Sequence, residues 1–103
     1  NILNFCMEKV PYVVKKILKK NKIKINEINK FFFHQGSKYI INSLRKKLNI
    51  SDAKMPLNIL NVGNTVSSSI PMIIEKFGLK KVKKPYLICG FGVGLSVSIC
   101  LIK

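Results

Sequence analysis

The first twenty residues place apolar and charged side chains on opposite sides of a helix. The apolar ones recur three or four residues apart, and they are Ile2, Phe5, Cys6, Val10, Val13, Val14, Ile17 and Leu18. This period predicts an amphipathic helix over residues 2–20 whose lysines face solvent. Pro11 has no N–H to donate to the preceding turn, so we expect it to kink the helix or to split it near Lys9 and Val10.

Three consecutive phenylalanines predict the first strand. Phe31–Phe33 follow a polar connection over residues 21–29, and none of the three is polar. We therefore expect a strand that is buried on both faces, as in a parallel sheet. A second helix should then run from Gly36 or Ser37 to about Leu48. Its apolar stripe consists of Ile40, Ile41, Leu44 and Leu48.

The middle of the chain predicts a short strand and a third helix. After a loop, Leu57–Leu60 form an apolar strand, and the polar turn Asn61–Thr65 follows it. Ser67–Ser69 then open a helix that Gly78 ends, and Pro71 is tolerated because it falls within the first turn. The apolar stripe of this helix consists of Ile70, Ile73, Ile74 and Phe77.

The stretch over residues 85–102 contains no charged residue. It is long enough for a transmembrane helix, and the spacing of Gly90 and Gly94 matches a helix-packing motif. Glycine at every second position is costly in a helix, however, and natural where two strands turn. We therefore predict a buried β-hairpin, with strands Tyr86–Cys89 and Leu95–Ile102 on either side of a glycine-rich turn.

The order of these elements predicts an α/β fold. Helix, strand, helix, strand, helix, strand, strand implies a mixed sheet with crossover helices, parallel at first, and a C-terminal antiparallel strand pair. A crossover helix follows a strand, whereas this series begins with a helix. We therefore expect residues 1–103 to be one domain of a longer polypeptide, with at least one strand before them.

The net charge of +15 comes almost entirely from lysine, and Arg45 is the one arginine. A surface for nucleic acid or another anionic partner is one explanation. We favour the other, an AT-rich genome, because Lys, Ile and Asn are abundant together; an electropositive surface is then its consequence. A small basic nucleic-acid-binding module is the alternative function, although the chain has no RNA-binding or helix-turn-helix pattern and its aromatics cluster in the predicted core strand.

The three cysteines lack the spacing of a metal site. Cys6, Cys89 and Cys100 form no CxxC pair and no cluster with the single histidine. All three stand among apolar residues, so we expect small buried side chains in a reducing compartment, and no metal.

Polar residues follow the carboxyl ends of the predicted strands. His34 and Gln35 come after Phe33, Asn64 lies in the turn after the second strand, and the glycine-rich turn follows the third. Parallel strands end at one edge of a sheet, so these segments can converge on one cleft. A neutral imidazole, a carboxamide and backbone N–H groups together stabilise an enolate or oxyanion. A convincing nucleophile is missing, because Cys89 is predicted inside an apolar strand.

Three motifs resemble signatures of the β-ketoacyl-acyl-carrier-protein synthase III family. They are Phe33-His34-Gln35-Gly36-Ser37, Gly63-Asn64-Thr65-Val66-Ser67-Ser68-Ser69-Ile70-Pro71 and Gly90-Phe91-Gly92-Val93-Gly94-Leu95-Ser96. Their order and spacing match those of the C-terminal half of such an enzyme, over essentially the whole chain. The resemblance implies a thiolase-like half-fold that lacks its first strand, in the centre of the sheet, and the whole N-terminal domain.

The resemblance also implies a Cys-His-Asn active site whose cysteine belongs to the missing half and accepts an acyl group from acyl-CoA. His34 and Asn64 match the other two catalytic residues, which promote decarboxylation of malonyl-carrier protein and stabilise the resulting enolate. The backbone of Val93 matches part of the oxyanion hole, and Phe91 and Gly92 match residues that line the site. The isolated chain is therefore expected to be catalytically inactive.

The partners implied by the resemblance are acyl carrier protein and CoA thioesters, with no cofactor. Carrier protein is acidic, and Lys38, Arg45 and Lys46 on the second helix are candidates for its docking site by position and charge. We expect a cytoplasmic homodimer that acts in fatty-acid or related biosynthesis and binds neither nucleic acid nor membrane.

Two departures from the family pattern leave the substrate open. The usual His-Gln-Ala-Asn is His34-Gln35-Gly36-Ser37 here, and Tyr39 stands where members often carry a basic residue. The acyl chain, the carrier preference and the choice between a housekeeping and a specialised pathway therefore stay open. Acyl transfer without decarboxylative condensation stays open as well.

Overall fold

Helices and strands alternate along the chain in the computed structural model. The structure describes residues 2–34, 38–55, 70–76, 78–92 and 96–103. The helices are α1 (Ile2–Lys20), α2 (Lys38–Leu48) and α3 (Ile70–Lys76), and the strands are β1 (Lys30–His34), β2 (Tyr86–Gly92) and β3 (Ser96–Ile102). Short 3₁₀ turns occur at Ile25–Glu27, Asp52–Lys54 and Leu79–Lys81.

The three strands form one mixed sheet in the order β1-β2-β3. β1 runs parallel to β2, from the pair Lys30 and Tyr86 to the pair His34 and Gly90. β2 runs antiparallel to β3 along the full length of both strands. The predicted mixed sheet with a C-terminal antiparallel pair is therefore confirmed. Within the described parts of the chain, none of the helices combines the length and apolarity that crossing a bilayer requires.

β2 is longer than the sequence predicts. Gly90 and Gly92 belong to the strand, where they pair with Ser98 and Ser96, and the prediction that they form the turn is wrong. A Cβ atom added at Gly90 would lie 3.4 Å from the Ser98 Oγ. Glycines at every second position share one face of a strand, so here they leave room for a neighbouring side chain and do not turn the chain.

β1 is buried on both faces, as the run of phenylalanines predicts. Phe31 and Phe33 pack in a core formed with α1 and α2, whereas Phe32 packs on the other side with Leu79 and Tyr86. The Phe32 and Tyr86 rings meet edge to face, with their centroids 5.7 Å apart. The α1–α2 layer and the α3 side of the sheet therefore have separate apolar clusters.

α1 is one continuous helix despite Pro11. In its predicted apolar stripe Cys6, Val10, Val14 and Leu18 are buried, whereas Phe5, Val13 and Ile17 are half-buried. A proline inside a helix costs about 3 kcal/mol, whereas burying one large aliphatic side chain gains about 1.5–3 kcal/mol. Because several such residues flank Pro11 on both sides, packing outweighs the lost hydrogen bond, and the predicted split near Lys9 does not occur.

α2 begins at Lys38 and buries Ile41, Leu44 and Leu48 of its predicted stripe, whereas Ile40 is half-buried. α3 ends at Lys76, and Gly78 follows with a positive φ of 66°, which is the left-handed conformation expected of a glycine that ends a helix. The predicted strand Leu57–Leu60, turn Asn61–Thr65, helix start Ser67–Ser69 and residue Phe77 lie outside the described residues.

No strand is missing from between the described strands. β1, β2 and β3 pair directly with one another, so any further strand joins at the outer edge of β1 or of β3. The expectation that a missing strand occupies the centre of the sheet is therefore wrong. That expectation came from the family resemblance and not from the order of the elements, and in the structure α1 packs on α2 and on β3.

Candidate active site

The histidine and the glycine-rich segment meet at one edge of the sheet. His34 is the last residue of β1 and pairs with Gly90 of β2, which continues to Gly92. Because β1 and β2 are parallel, these residues lie at the carboxyl ends of adjacent strands, which are about 4.8 Å apart. The backbones of His34, Phe91 and Gly92 are thus brought together at the edge that the sequence predicts for a site.

The other predicted parts of the site fall outside the described residues. Asn64 lies in the segment between Met55 and Ile70, and Val93 follows the last described residue of β2. The catalytic role of Asn64, the oxyanion role of the Val93 backbone and the lining role of Phe91 therefore stay predictions. The approach of His34 to Asn64 stays a prediction with them.

Cys89 lies directly beneath this edge and is buried. It pairs with Phe33 in the sheet and belongs to the core between the sheet and α1. Burial raises the pKa of the Cys89 thiol far above its ordinary range. A thiol that stays protonated at neutral pH is a poor nucleophile, so Cys89 is a poor candidate for a nucleophile at this edge.

The remaining cysteines are also free thiols. Cys6 is buried in α1, whereas Cys100 in β3 is half-buried, so the prediction of three buried cysteines is wrong for Cys100. β3 has a described neighbour on one side only, and this leaves its side chains partly open to solvent. Burial raises the pKa of both thiols. Within the described ranges no group of three or more His, Cys, Asp or Glu side chains is arranged to hold a metal ion.

The candidate docking residues of α2 have different surroundings. Lys38 and Lys46 are exposed. Arg45 is half-buried, and its Nε lies 2.9 Å from the Asp52 Oδ1. Its Nη2 donates to the Asn42 Oδ1 at 2.9 Å, and its Nη1 donates to the Ile50 carbonyl at 3.4 Å. Arg45 thus holds the end of α2 against the following loop, and its docking role stays a prediction.

Two features of this region were missed from the sequence. Arg45 lies in α2 and Asp52 lies beyond its end. The spacing of residues within a helix does not predict a contact of this kind. Ser98 is exposed beside Gly90. In the sequence, only the alternation of Ser96 and Ser98 with apolar residues along the last strand indicates this position. Tyr39, noted as a departure from the family pattern, is 68% exposed on α2.

A shallow groove on α1 is separate from the predicted site residues. It has a volume of about 270 Å³ and is lined by Phe5, Glu8, Lys9 and Tyr12. The Lys9 and Lys16 Nζ atoms lie 5.8 and 6.0 Å from the centre of the Tyr12 ring. These are ordinary cation–π contacts on a solvated basic face.

Comparison with known proteins gives a consistent result. The sequence model of a family described as 3-oxoacyl-[acyl-carrier-protein (ACP)] synthase III C terminal matches residues 18–103. A beta-ketoacyl-[acyl-carrier-protein] synthase III from Prochlorococcus marinus (strain MIT 9515) is 34% identical over 105 residues, which cover 99% of this chain and 31% of that protein. The chain thus spans about a third of the length of the curated relatives it matches.

Solved structures of the same kind share the fold. A 3-oxoacyl-(acyl-carrier-protein) synthase III crystal structure superimposes with a TM-score of 0.77 at 30% identity, over 98% of this chain and 31% of the other. The 3-oxoacyl-[acyl-carrier-protein] synthase III from Aquifex aeolicus VF5 gives a TM-score of 0.71 at 33% identity, over 92% and 32% of the two chains. The predicted thiolase-like half-fold is therefore confirmed.

Proposed function

The chain belongs to the family of 3-oxoacyl-[acyl-carrier-protein] synthase III C-terminal domains, and we propose that it supplies half of the active site of a condensing acyltransferase. The reaction is the decarboxylative condensation of an acyl-CoA with malonyl-carrier protein in fatty-acid or related biosynthesis. The observation that carries the proposal is the register of β1 and β2, in which His34 pairs with Gly90 at the carboxyl ends of parallel strands.

In the proposed mechanism the nucleophile is a cysteine outside these 103 residues. It takes the acyl group from acyl-CoA as a thioester. The His34 imidazole and the Asn64 amide then donate hydrogen bonds to the thioester carbonyl of the malonyl group, which stabilises the enolate that forms as CO₂ leaves. The enolate carbon bonds to the acyl carbonyl carbon, and the carbon–sulfur bond to the cysteine breaks.

The backbone of the glycine-rich segment is proposed to stabilise the negative charge on the acyl oxygen. When the enolate attacks, negative charge develops on the acyl oxygen, and the Val93 N–H donates to it. A backbone donor does not depend on the side chain, so valine is compatible with this role. Phe91 and Gly92 line the space for the substrate, and no step requires a metal or an organic cofactor.

We further propose that residues 1–103 are the C-terminal part of this enzyme and are inactive alone. The length relative to the curated relatives supports this, since the chain covers 31% of the first of them. The strand before α1 would join the outer edge of β3, because α1 packs on β3 before the chain crosses to β1. The intact enzyme is proposed to be a cytoplasmic homodimer.

Acyl carrier protein is the proposed partner of α2. Lys38 and Lys46 are exposed on this helix and suit an acidic partner. Arg45 adds positive charge nearby, although its guanidinium is held by Asp52. In the full-length enzyme, Lys38→Glu and Lys46→Glu should raise the KM for malonyl-carrier protein and leave the KM for acyl-CoA unchanged. Lys19→Glu on α1 makes the same change of charge as a control, and an equal effect of all three would contradict docking on α2.

The catalytic proposal is tested by replacing the two polar residues in the full-length enzyme. His34→Ala and Asn64→Ala should each lower the rate of malonyl-thioester decarboxylation by about 100-fold or more, since each removes a preorganised donor. Lys19→Ala, at an exposed position of α1, serves as the control. Folded variants that decarboxylate at the unsubstituted rate would contradict the assignment.

Acyl transfer without condensation is the second candidate, favoured by Gly36 and Ser37 at positions where the family usually has Ala and Asn. It predicts that the unsubstituted enzyme moves an acyl group from CoA to an acceptor and releases no CO₂ from malonyl-carrier protein. Measuring both products in one assay separates the two candidates.

A further inference from the structure

Half of the chain's lysines lie at the end of the sheet opposite the predicted site. They belong to three segments: the last turn of α1 with the loop after it, the stretch before β2, and the residue after β3. All of these side chains are exposed, and together they form a lysine face of nine residues: Lys19, Lys20, Lys22, Lys24, Lys80, Lys81, Lys83, Lys84 and Lys103.

Contacts within the chain hold the three segments of the lysine face together. The Lys103 Nζ donates to the Asn21 Oδ1 at 3.0 Å, in the loop after α1. The Asn29 Nδ2 donates to the Lys84 carbonyl at 2.9 Å, immediately before β1. The lysine face therefore lies where β1 and β2 begin. An AT-rich genome raises the number of lysines, but it does not account for the meeting of three separate segments at one end of the fold.

The lysine face extends across both sides of the sheet. Ile23 packs against the core on the α1–α2 side, and its neighbours Lys22 and Lys24 are exposed. Leu79 is buried in the cluster on the other side, next to the exposed Lys80. A flat anionic surface can thus contact lysines from both sides at once, whereas a nucleic-acid strand is bound by positive charge that follows its backbone.

The side chains of the lysine face favour lipid headgroups over bases. The face contains no arginine, which is the commonest reader of base edges, and no aromatic ring on which bases stack. Among the described residues the exposed aromatic side chains are Tyr12 and Tyr39, and both lie outside the face. Lysine is a compact, hydrated charge, and clusters of lysine are attracted to anionic membrane surfaces.

The lysine face suits water or an anionic partner, and not the contact between two parts of one protein. Burying unpaired ammonium groups is costly, so a segment that covered the face would need a matching set of acids. A segment before α1 would join the helix at Ile2. α1 has 19 residues, so at 1.5 Å per residue Ile2 lies about 27 Å from Lys20. We therefore expect the face to be open in the intact enzyme.

We propose that the lysine face docks the enzyme reversibly on a bilayer surface that contains anionic phospholipids. The lysines contact headgroup phosphates, and no helix of the described chain enters the bilayer. The strands then point away from the bilayer, and the six steps from Tyr86 to Gly92 span about 20 Å at 3.3 Å per residue. The predicted site thus faces the solvent. This departs from the expectation of no membrane partner, which rests on the family resemblance alone.

Co-sedimentation of the full-length enzyme with vesicles tests the proposal. We expect binding to phosphatidylcholine vesicles with about 30 mol% phosphatidylglycerol, and none to phosphatidylcholine alone. Binding should weaken at least 10-fold from about 0.1 M to about 0.5 M NaCl, because salt shortens the Debye length, which is about 10 Å at 0.1 M and about 3 Å at 1 M. No binding to anionic vesicles at low salt, or binding that salt does not weaken, overturns the proposal.

Charge reversal on each side of the sheet tests the orientation. Lys20→Glu combined with Lys24→Glu alters the α1 side, and Lys81→Glu combined with Lys83→Glu alters the other side. Each pair should weaken vesicle binding by about 20-fold or more, since one lysine close to an anionic surface strengthens binding about fivefold. A loss confined to one of the two pairs overturns docking of the whole face on a plane.

A matched pair of substitutions separates the lysine face from the net charge. Lys9→Glu combined with Lys15→Glu changes the net charge equally, at exposed positions of α1 outside the face. This pair should weaken vesicle binding less than about 3-fold. Far-UV circular dichroism verifies that every variant is folded. A loss as large as that of the pairs on the face overturns the proposal.

Nucleic acid is the partner that the same experiment can reveal instead. Duplex RNA and DNA of random sequence are compared with the anionic vesicles at equal salt and equal concentration of accessible negative charge. Tighter binding of either duplex overturns the proposal, and weaker binding of both supports it. His34→Ala should bind vesicles as the unsubstituted enzyme does, so docking and the proposed condensation can fail independently of each other.

Discussion

His34 and Gly90 form the last residue pair between the parallel strands β1 and β2. Each residue is followed by a segment that carries predicted chemistry, so the register of the two strands decides how those segments meet. Gly90 in turn pairs with Ser98 of β3. The three residues form one row across the sheet, with Gly90 at its centre. A substitution at Gly90 should therefore affect the pairing with both β1 and β3.

The first prediction concerns the space at Gly90. An added Cβ would meet the Ser98 Oγ at 3.4 Å, which is an ordinary contact, so Gly90→Ala should change the free energy of unfolding by less than about 1 kcal/mol. Gly90→Val adds two further carbons against the same hydroxyl and should cost about 1–3 kcal/mol. Urea denaturation of Gly90→Val with and without Ser98→Gly checks this, and the second substitution should restore part of the loss. Additive effects would show that the clash lies elsewhere.

The sequence was sufficient for the parts of the fold that rest on apolar pattern. The stripe of α1, the two-sided burial of Phe31–Phe33 and the hairpin of β2 and β3 follow from the spacing of apolar residues, and packing in the folded chain obeys the same spacing. Patterning does not report the length of a strand, however. The residues around Gly90 and Gly92 do not indicate in the sequence that the strand continues through them. Their pairing with Ser98 and Ser96 of β3 shows that they belong to β2.

The candidate site was predictable to a smaller extent. The meeting of His34 with the glycine-rich segment follows from parallel strands ending at one edge. The surroundings of Arg45 did not follow, because its partner Asp52 lies beyond the end of α2, and a contact across a helix end depends on how the next turn folds back. Pro11 shows a different limit, since a local rule predicted a kink or a split, and the packing of its neighbours keeps α1 one continuous helix.

A second prediction concerns the Arg45–Asp52 pair. Arg45→Ala removes the ion pair and the bonds to Asn42 and the Ile50 carbonyl, and should cost about 1–2 kcal/mol. Asp52→Ala should cost less than about 1 kcal/mol, because the Asp52 carboxylate is 87% exposed and solvent screens the pair. Thermal and urea unfolding measure both, with the exposed Lys46→Ala as a matched control within about 0.5 kcal/mol of the unsubstituted chain. An equal loss in Lys46→Ala would refute a specific role for the guanidinium.

The next prediction concerns backbone strain at Gly78 in the absence of steric crowding. Its φ is 66°, and among the described residues nothing lies within 4 Å of where a Cβ would stand. Gly78→Ala should therefore destabilise the chain by about 1–2 kcal/mol through backbone strain alone. Gly78→Asn has a side chain of larger volume but tolerates the left-handed conformation better, so it should cost less. Greater loss with Asn than with Ala would point to crowding as the cause.

The last prediction concerns the pH dependence of stability through Cys89. Burial raises the pKa of this thiol above its ordinary value of 9.0 in the folded chain. Below pH 9 both the folded and the unfolded chain keep the proton, and the contribution of Cys89 to stability is fully present. Above pH 9 the unfolded chain releases the proton while the folded chain retains it, so the free energy of unfolding falls as pH rises. For one thiol the slope approaches about 1.4 kcal/mol per pH unit.

Urea denaturation from pH 7.5 to 10.5 under reducing conditions measures the slope, and Cys89→Ala should flatten it although the variant is less stable at every pH. Cys100→Ala should flatten it less, since the Cys100 thiol is only half-buried in the folded chain. Parallel curves for the unsubstituted chain and Cys89→Ala would mean that the thiol has the same pKa in the folded and the unfolded chain, which would contradict a pKa raised by burial.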